Sequence, residues 1–237
     1  MPRLDAASRP RPPHLRAWYD LEMETAPKLF LRQLQLGSMD NFVYLLGAAG
    51  SKETAVVDPA WDSAAIDQAL ADAARTLACV LLTHSHPDHV NALAEVLGRH
   101  PVPVYAQAAE VAAAPWMEKL GPALHRAAPD QVVQVGPLAV RLIATPGHTP
   151  GSQCLLAEGA LFTGDTLFVN ACGRVDLPGG SAEAMFHSLS ALARLPPETQ
   201  VYPGHDYGDV PVSTVARERE RNPYLQPKNL GAFAAIR

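Results

Sequence analysis

Three histidines and one aspartate occur within six residues in the first half of the sequence, in the segment His84-Ser-His86-Pro87-Asp88-His89. Imidazole nitrogen and carboxylate oxygen together suit a first-row divalent metal ion such as zinc, iron or manganese. Alternate side chains of an extended segment point the same way, so His84 and His86 can reach one ion while Asp88 and His89 face another. Pro87 restricts the preceding residue to extended geometry and stiffens the loop. The segment is therefore predicted to bind metal.

Three later segments each end a strand-like run with a metal-capable residue beside glycine. Glycine lets the backbone turn sharply, and proline, present in two of the three, stiffens the loop. Each segment alone is also compatible with an ordinary turn that exposes one polar residue. Together with the histidine cluster, they favour a shared metal site. The segments are 145–151 around His148, 162–166 around Asp165 and 202–206 around His205.

In type and spacing, the histidine cluster resembles the signature of the metallo-β-lactamase superfamily. The resemblance implies an α/β fold, the αββα sandwich, in which two mixed β-sheets face each other and helices cover the outer faces. It also implies two metal ions that share one bridging aspartate. Carried over position by position, the first ion would be bound by His84, His86 and His148, the second by Asp88, His89 and His205, with Asp165 as the bridge.

Two further positions are informative by the same resemblance. Asp58 matches a position that usually supports the ligands from behind without binding the metal itself. Many true β-lactamases of the superfamily carry cysteine where this chain has Asp165, whereas aspartate resembles the glyoxalase II and persulfide dioxygenase branches. The segment 162–169, followed by Cys172-Gly-Arg174-Val-Asp176, also looks like those enzymes of thioesters and thiols.

The first functional hypothesis is hydrolysis of a thioester such as an acyl-glutathione, as in glyoxalase II. Two divalent ions, zinc first and iron or manganese as alternatives, would lower the pKa of bound water, and the resulting hydroxide would attack the carbonyl. Asp88 would orient that nucleophile or accept its proton. The chain lacks the Lys-Phe-Tyr segment typical of glyoxalase II and has only 32 residues after His205, too few for that family's full glutathione-binding helical domain. The thiol carrier therefore stays open.

The alternative hypothesis is a mononuclear Fe(II) persulfide dioxygenase that oxidises glutathione persulfide to sulfite. His84, His148 and Asp165 supply two imidazoles and one carboxylate, a set suited to non-haem Fe(II) with open positions for O2 and a thiolate. The segments from Ser213 onward are similar to those enzymes, but the usual Ile-Thr-Gly after the histidine cluster is replaced by 90–92, Val-Asn-Ala. A metal-binding scaffold without activity is a third hypothesis.

Arg174, Asp176 and Tyr207 are the candidate substrate contacts. Arg174 and Asp176 can equally form an ion pair that holds the long loop between 164 and 180, and Tyr207 can pack instead of contacting substrate. Cys172 lies near the expected mouth of the site but has no adjacent histidine in sequence. It is not predicted to act as a nucleophile.

Composition limits the cellular context. The 237 residues, 48% of them hydrophobic, are enough to bury a full core, and the net charge of −5 gives no electrostatic reason to expect a nucleic acid or an anionic membrane as partner. Three cysteines without a CxxC pair favour reduced thiols. No apolar run approaches the roughly 20 residues of a membrane span. We therefore expect a cytoplasmic enzyme with a small thiol-derived substrate, and a homodimer is compatible with the sequence.

The strand and helix patterns must bring the metal-capable segments together. Residues 1–27 mix four arginines with prolines and are predicted to be a flexible extension, which leaves 28–237 as a single domain. Apolar patterns predict strands at 29–36, 41–46, 54–57, 77–82, 102–106, 131–135, 138–144, 153–157, 160–162 and 200–202. Caps and periodicity predict helices at 63–74, 91–99, from 107, 181–194 and 212–221. This order fits the αββα sandwich but would not identify it alone.

Overall fold

The N-terminal half of the domain forms a six-stranded mixed sheet. The computed structural model describes residues 28–236, so the extension predicted for residues 1–27 lies outside the described residues. The first three strands are antiparallel, and the next three run parallel to the third. In sheet order they are β1 (Leu29–Leu36), β2 (Asn41–Ala48), β3 (Glu53–Val57), β4 (Thr76–Leu81), β5 (Val104–Gln107) and β6 (Leu124–Ala127).

The C-terminal half forms a second six-stranded mixed sheet, in the order β14, β13, β10, β9, β8, β7. Only β10 and β13 are parallel. A separate two-stranded hairpin, β11 with β12, interrupts the loop after β10. The strands are β7 (Val132–Val135), β8 (Leu138–Ala144), β9 (Gln153–Ala157), β10 (Ala160–Gly164), β11 (Leu167–Phe168), β12 (Ala171–Cys172), β13 (Gln200–Pro203) and β14 (Ser213–Thr214).

Helices connect the strands, and their first turns carry the expected caps. Asp62 accepts a hydrogen bond from the N–H of Ala65, and Ser181 accepts one from Ala184, so both satisfy backbone donors that a helix leaves free. The helices are α1 (Ser63–Asp72), α2 (Pro87–Val90), α3 (Leu93–Arg99), α4 (Ala108–Ala113), α5 (Ala182–Leu192), α6 (Val215–Arg221) and α7 (Leu230–Ala234), with 3-10 segments at Pro115–Ala123 and Pro223–Leu225. Within residues 28–236, no helix is long and apolar enough to cross a bilayer.

Three apolar layers confirm the predicted αββα sandwich. The central layer combines side chains of both sheets, such as Tyr44 and Phe162, whose rings meet edge to face at 5.0 Å. The second layer packs α1, α3 and α4 on the outer face of the first sheet, and the third packs α5 on the second sheet. Fully burying one large apolar side chain contributes about 1.5–3 kcal/mol, so these layers supply most of the drive to fold.

The connections that carry the metal-capable residues leave the two sheets at a common edge. Gly204, after β13, donates its N–H to Gly164 at the end of β10 (2.9 Å), and Phe42 at the start of β2 donates to Gly204 (2.8 Å). Gly164 has φ +46°, and a Cβ there would lie 2.3 Å from the hydroxyl of Thr83, which follows β4. Glycine is needed because only it tolerates both the left-handed backbone and this close approach.

The sequence patterns missed the shortest elements. The region after 115, which gave no clear pattern, holds a 3-10 segment and β6, in which buried Leu124 and Ala127 flank two exposed residues. The loop predicted after Gly164 contains the β11 and β12 hairpin, and the last predicted helix begins at Val215 because β14 occupies the two residues before it. Two-residue strands carry no periodicity of their own, and pairing alone defines them.

Removing the hydroxyl of Tyr44 should weaken the contact between the sheets. This buried hydroxyl donates to the carbonyl of Pro203 in the second sheet at 2.6 Å. In Tyr44→Phe the carbonyl would lose that donor in a buried place, so we expect the free energy of unfolding to fall by about 1–3 kcal/mol. Denaturant unfolding with an unchanged m value measures this. The control is Tyr105→Phe, because no hydrogen bond of that hydroxyl is found within the described residues; an equal loss in both variants would contradict the prediction.

Candidate metal centre

The histidine cluster is shaped by a support and by a helical turn. Thr83 donates to both carboxylate oxygens of Asp58, from its N–H at 2.7 Å and from its hydroxyl at 2.5 Å. His86 is extended (φ −62°, ψ 145°), as the following proline requires, and Pro87 then begins α2. The segment is therefore extended only as far as His86 and turns beyond that residue. Asp88 and His89 are directed by one turn of helix instead.

The first triad consists of His84, His86 and His148, whose ligand atoms lie within 4.8 Å of one another. Nε2 of His148 is 2.9 Å from Nδ1 of His86. Nε2 of His84 is buried and has no hydrogen-bond partner. Two ring nitrogens that face each other at this distance need a proton or a cation between them, and a buried nitrogen without a partner is costly.

The second triad consists of Asp88, His89 and His205, which also lie within 4.8 Å of one another. Nε2 of His89 is 3.1 Å from Nε2 of His205. Oδ2 of Asp88 is 3.5 Å from the first of these nitrogens and 3.4 Å from the second. The three ligand atoms therefore surround one point, on the side of the cluster where Asp88 retains 18% side-chain exposure.

Asp165 lies between the two triads. Its Oδ2 is 3.4 Å from His148 of the first triad, whereas its Oδ1 is 3.2 Å from His89 and 3.5 Å from His205 of the second. Oδ1 is buried and makes no hydrogen bond. One carboxylate thus reaches both triads with different oxygens, the geometry of a bridging ligand.

Backbone and carboxylate acceptors fix the imidazole rings. Nδ1 of His148 donates to the carbonyl of Arg174 at 2.8 Å, and Nδ1 of His205 donates to the carbonyl of Met39 at 2.8 Å. Nδ1 of His89 lies 3.0 Å from Oδ2 of Asp58. A carbonyl only accepts, so these rings are protonated on Nδ1 and present Nε2 toward the centre, as metal-binding histidines do.

Asp58 could itself be considered a ligand, because it lies within reach of His84 and His89. Its two oxygens already accept from the N–H and hydroxyl of Thr83 and from His89. These bonds use the carboxylate to orient its neighbours. These contacts are the ones that the predicted supporting role of Asp58 requires, and the role itself stays a prediction.

The charges of the cluster are suited to a cation. Burial, and then the nearby His89, lower the pKa of His84 well below its usual value, and burial likewise lowers the pKa of His86. Burial also disfavours charge on His89, but Asp165 and Asp58 raise the pKa of this ring well above the usual value. Burial alone would raise the pKa of Asp165, yet the charge of His89 holds it well below its usual range. Without metal, His89 thus keeps a proton that a divalent ion can displace.

The donor set fits two divalent metal ions. Five imidazoles and two carboxylates converge, two of their buried atoms lack hydrogen bonds, and several Nε2 atoms are held in the form that binds metal. Nitrogen and oxygen ligands of this kind suit zinc, iron or manganese.

The three candidate substrate contacts are exposed side chains. Arg174 and Asp176 form a two-pronged ion pair, with both N to O distances 2.9 Å, and both side chains are about two-thirds exposed. Exposed pairs of this kind contribute little stability. Tyr207 is 52% exposed and stacks on the ring of His205 at 4.6 Å. The structure therefore leaves all three side chains accessible, and their contact with substrate remains a prediction.

Sequence reasoning missed Glu110, a buried carboxylate on α4 that joins the loop of His84 and His86 to the loop of His148. Its Oε1 accepts from the N–H and hydroxyl of Ser85 at 2.8 and 2.6 Å. Its Oε2 accepts from the hydroxyl of Thr149 at 2.6 Å and from the N–H of Gly151 at 3.0 Å. A single acidic residue in an alanine-rich helix was the only available signal. Its contacts span 25 to 41 residues and cannot be inferred from spacing.

Glu110→Gln should loosen the first triad. An amide has one acceptor oxygen, so its NH2 must face one of the two donor pairs, and we expect a loss of about 1–3 kcal/mol in the free energy of unfolding of metal-free protein. Affinity for the first equivalent of metal should fall as well. Thermal unfolding and metal titration measure both effects. The control, Glu118→Gln, removes an exposed carboxylate paired with Arg126, and a similar loss there would argue against a specific clamp.

The three cysteines should be unreactive in the folded protein. Burial raises the pKa of Cys79, Cys154 and Cys172 to about 12. The thiols are therefore protonated at neutral and mildly alkaline pH, and the thiolate is the nucleophile. Iodoacetamide at pH 8 should leave activity and mass unchanged, whereas urea should allow three adducts, counted by mass spectrometry. Rapid loss of activity with one adduct on Cys172 would contradict this.

Comparison with known proteins agrees with the site. A family model described as the metallo-beta-lactamase superfamily matches residues 37–205. The chain is 37% identical over 199 residues to the probable polyketide biosynthesis zinc-dependent hydrolase BaeB of Bacillus velezensis, covering 83% of this chain and 87% of that protein. It is 38% identical over 197 residues to a hydroxyacylglutathione hydrolase of Alkalilimnicola ehrlichii, covering 83% and 73%.

Similarity extends to dioxygenases. The chain is 33% identical over 205 residues to the mitochondrial persulfide dioxygenase ETHE1 of Bos taurus, covering 84% of this chain and 77% of that protein. The crystal structure of ETHE1 from Myxococcus xanthus superposes with a TM-score of 0.77 at 32% identity, covering 87% and 89%. The chain belongs to the metallo-β-lactamase superfamily of enzymes, in the branch that includes hydroxyacylglutathione hydrolases and persulfide dioxygenases.

Proposed function

We propose that the protein is a two-metal thioester hydrolase that cleaves a small acyl-thiol such as an acyl-glutathione. The observation that carries the proposal is the position of Asp165, whose two oxygens face different triads. A carboxylate in a bridging position is expected where a protein binds two metal ions side by side. When bound, such ions supply Lewis acidity toward the thioester carbonyl and lower the pKa of water.

Side chains of the protein would supply the proton transfer and the contacts with the substrate. Asp88 is partly exposed at the second triad, which supports a role in orienting the attacking water and accepting its proton. The water oxygen bonds to the carbonyl carbon, the carbon–sulfur bond breaks, and the thiol leaves. Tyr207 offers an exposed aromatic face, and Arg174 an exposed cation, to the rest of the substrate.

The thiol carrier is the less constrained part of this proposal. Glutathione carries two carboxylates, and the guanidinium of Arg174, which could bind one of them, already pairs with Asp176. The relatives include hydrolases named for hydroxyacylglutathione and for polyketide biosynthesis, so both a glutathione thioester and another acyl-thiol are consistent with the family. Acyl-glutathione is the first substrate to test.

The second candidate is the Fe(II) persulfide dioxygenase. His84, His148 and Asp165 lie together and supply the two imidazoles and one carboxylate of a facial iron site. The relatedness to ETHE1 from two organisms supports the same candidate. The hydrolase is preferred because the second triad is as completely built as the first.

Metal counting tests the two-metal arrangement. Asp165→Ala should abolish binding of both zinc equivalents, because it removes a ligand from each, whereas His205→Ala should retain the first. The control is His125→Ala, which removes an exposed histidine on β6 and should leave two equivalents. Elemental analysis after dialysis gives the counts. A wild-type protein that binds a single ion would exclude the two-metal hydrolase.

Activity separates the two candidates. Zinc-loaded protein is expected to release free thiol from a 2-hydroxyacyl-glutathione, measured with a thiol reagent. Iron-loaded protein is expected to consume no oxygen when glutathione persulfide is added, as followed with an oxygen electrode. Rapid iron-dependent uptake, absent from the zinc-loaded control, would favour the dioxygenase instead.

A further inference from the structure

We propose that Trp61 and Asn41 are positioning residues that hold the carboxylate of Asp88 in its metal-binding orientation. The inference rests on the proposed two-metal site and concerns its second position. Nε1 of Trp61 donates to Oδ1 of Asn41 at 2.6 Å, and Nδ2 of Asn41 donates to Oδ2 of Asp88 at 3.1 Å. The indole is thus two hydrogen bonds away from the candidate catalytic carboxylate.

These two hydrogen bonds form a relay from Trp61 through Asn41 to Asp88, and its direction is unambiguous. An indole N–H only donates, so the amide oxygen of Asn41 must face Trp61 and its NH2 must face Asp88. The same NH2 also donates to the backbone carbonyl of Asp88 at 3.2 Å. Asn41 therefore holds both the side chain and the backbone of one ligand. Without the indole, the amide oxygen of Asn41 would lose its donor, and the amide would be held only by its two bonds to Asp88.

Asn41 also connects the two sides of the second triad. It is 1% exposed, and its backbone forms an antiparallel bridge with His205. The preceding turn contributes the carbonyl of Met39 that accepts from Nδ1 of His205. A single short stretch at the start of β2 thus sets the position of His205 through its backbone and of Asp88 through a side chain.

The backbone and the ring of Trp61 are held in place by neighbouring residues. Its backbone has φ +62°, a left-handed conformation that is strained for a bulky residue and persists only where the surroundings impose it. Its N–H donates to Oδ1 of Asn91 at 2.5 Å. Its ring covers Gly37, where a Cβ would lie 2.2 Å from the indole. The side chain is nevertheless 37% exposed, so its apolar contacts alone do not account for the strain.

The positioning role of Trp61 and Asn41 follows from the orientation that the carboxylate of Asp88 needs in order to bind metal. Its Oδ2 has to remain between His89 and His205 to complete the second triad, and a carboxylate on a partly exposed side chain otherwise rotates freely about its last torsion. Groups that orient a metal ligand commonly change metal affinity by about 10- to 100-fold when they are removed. We therefore expect the relay to act on the second ion and to leave the first unaffected.

The test compares two conservative variants in the full-length protein. Trp61→Phe keeps an aromatic ring and removes only the indole and its N–H, and Trp116→Phe is the matched control because that tryptophan is also 37% exposed and makes no hydrogen bond with its indole within the described residues. In zinc titrations, Trp61→Phe should weaken the second equivalent by about tenfold or more, with the first unchanged. Unchanged affinity for both equivalents, or an equal loss at both with a lower Tm, would overturn the proposal.

A second measurement tests the relay from Trp61 to Asp88 independently of how many metal ions the protein binds. In metal-free protein labelled with 15N, Asp88→Ala should shift the indole N–H signal of Trp61 through Asn41 and leave the signal of Trp116 in place. An unmoved Trp61 signal would overturn the relay whatever the metal count. If wild-type protein bound only one ion while the Trp61 signal shifted, the proposed hydrolase would fail and the relay would stand.

Discussion

The structure depends on gathering seven metal-capable side chains, most of them buried, at one point between two sheets. Burying charged carboxylates and imidazoles costs several kcal/mol for each ion unless partners replace the lost water. The cluster itself supplies few such partners, because its ligand atoms face one another and two have no hydrogen bond. The surrounding fold must therefore hold the ligands in place against their own preference for solvent, and cations, when bound, would offset the remaining cost.

Three buried carboxylates provide much of this support, each from a different side. Asp58 accepts hydrogen bonds from Thr83 and His89. Glu110 joins the histidine cluster around Ser85 to the loop of His148. Glu218 accepts from the N–H of Asn170, the hydroxyl of Ser213 and the side chain of Asn222. None of the three is a ligand in the proposed assignment. Each has its oxygens occupied by donors, so each stabilises a loop conformation instead of competing for metal.

Glu218 lies in the segment from Ser213 onward, whose sequence is similar to that of persulfide dioxygenases. Asn222 donates to the carbonyls of Phe168 and Ala171, and Phe168 packs edge-on against His205. The segment that contains Glu218 and Asn222 thus braces the hairpin beside the second triad, and within residues 28–236 no hydrogen bond joins it to a candidate ligand. A brace of this kind serves hydrolysis and oxygenation equally, which is why similarity in this segment does not separate them.

The sequence predicted the family, the sandwich and most long strands, because the ligands follow a short signature and the strands are bounded by glycine and proline. It did not predict Asn41, Glu110 or the carbonyl of Met39, since each acts across a distance of 25 to 166 residues that only folding closes. It left Arg174 and Asp176 open between ion pair and substrate contact, and the structure shows the ion pair. Local sequence patterns are enough to predict the candidate metal ligands. The residues that hold those ligands in place can be identified only from tertiary contacts.

The choice between the two candidate reactions reduces to the second triad. Both reactions can use His84, His148 and Asp165, but only a two-metal reaction uses Asp88, His89 and His205 together. In this structure those three are bound in place by Asn41, Asp58 and the carbonyl of Met39. A single iron bound by His84, His148 and Asp165 would leave these buried groups and their supports without the cation that offsets their desolvation. The completeness of the second triad is therefore the physical reason to place hydrolysis first.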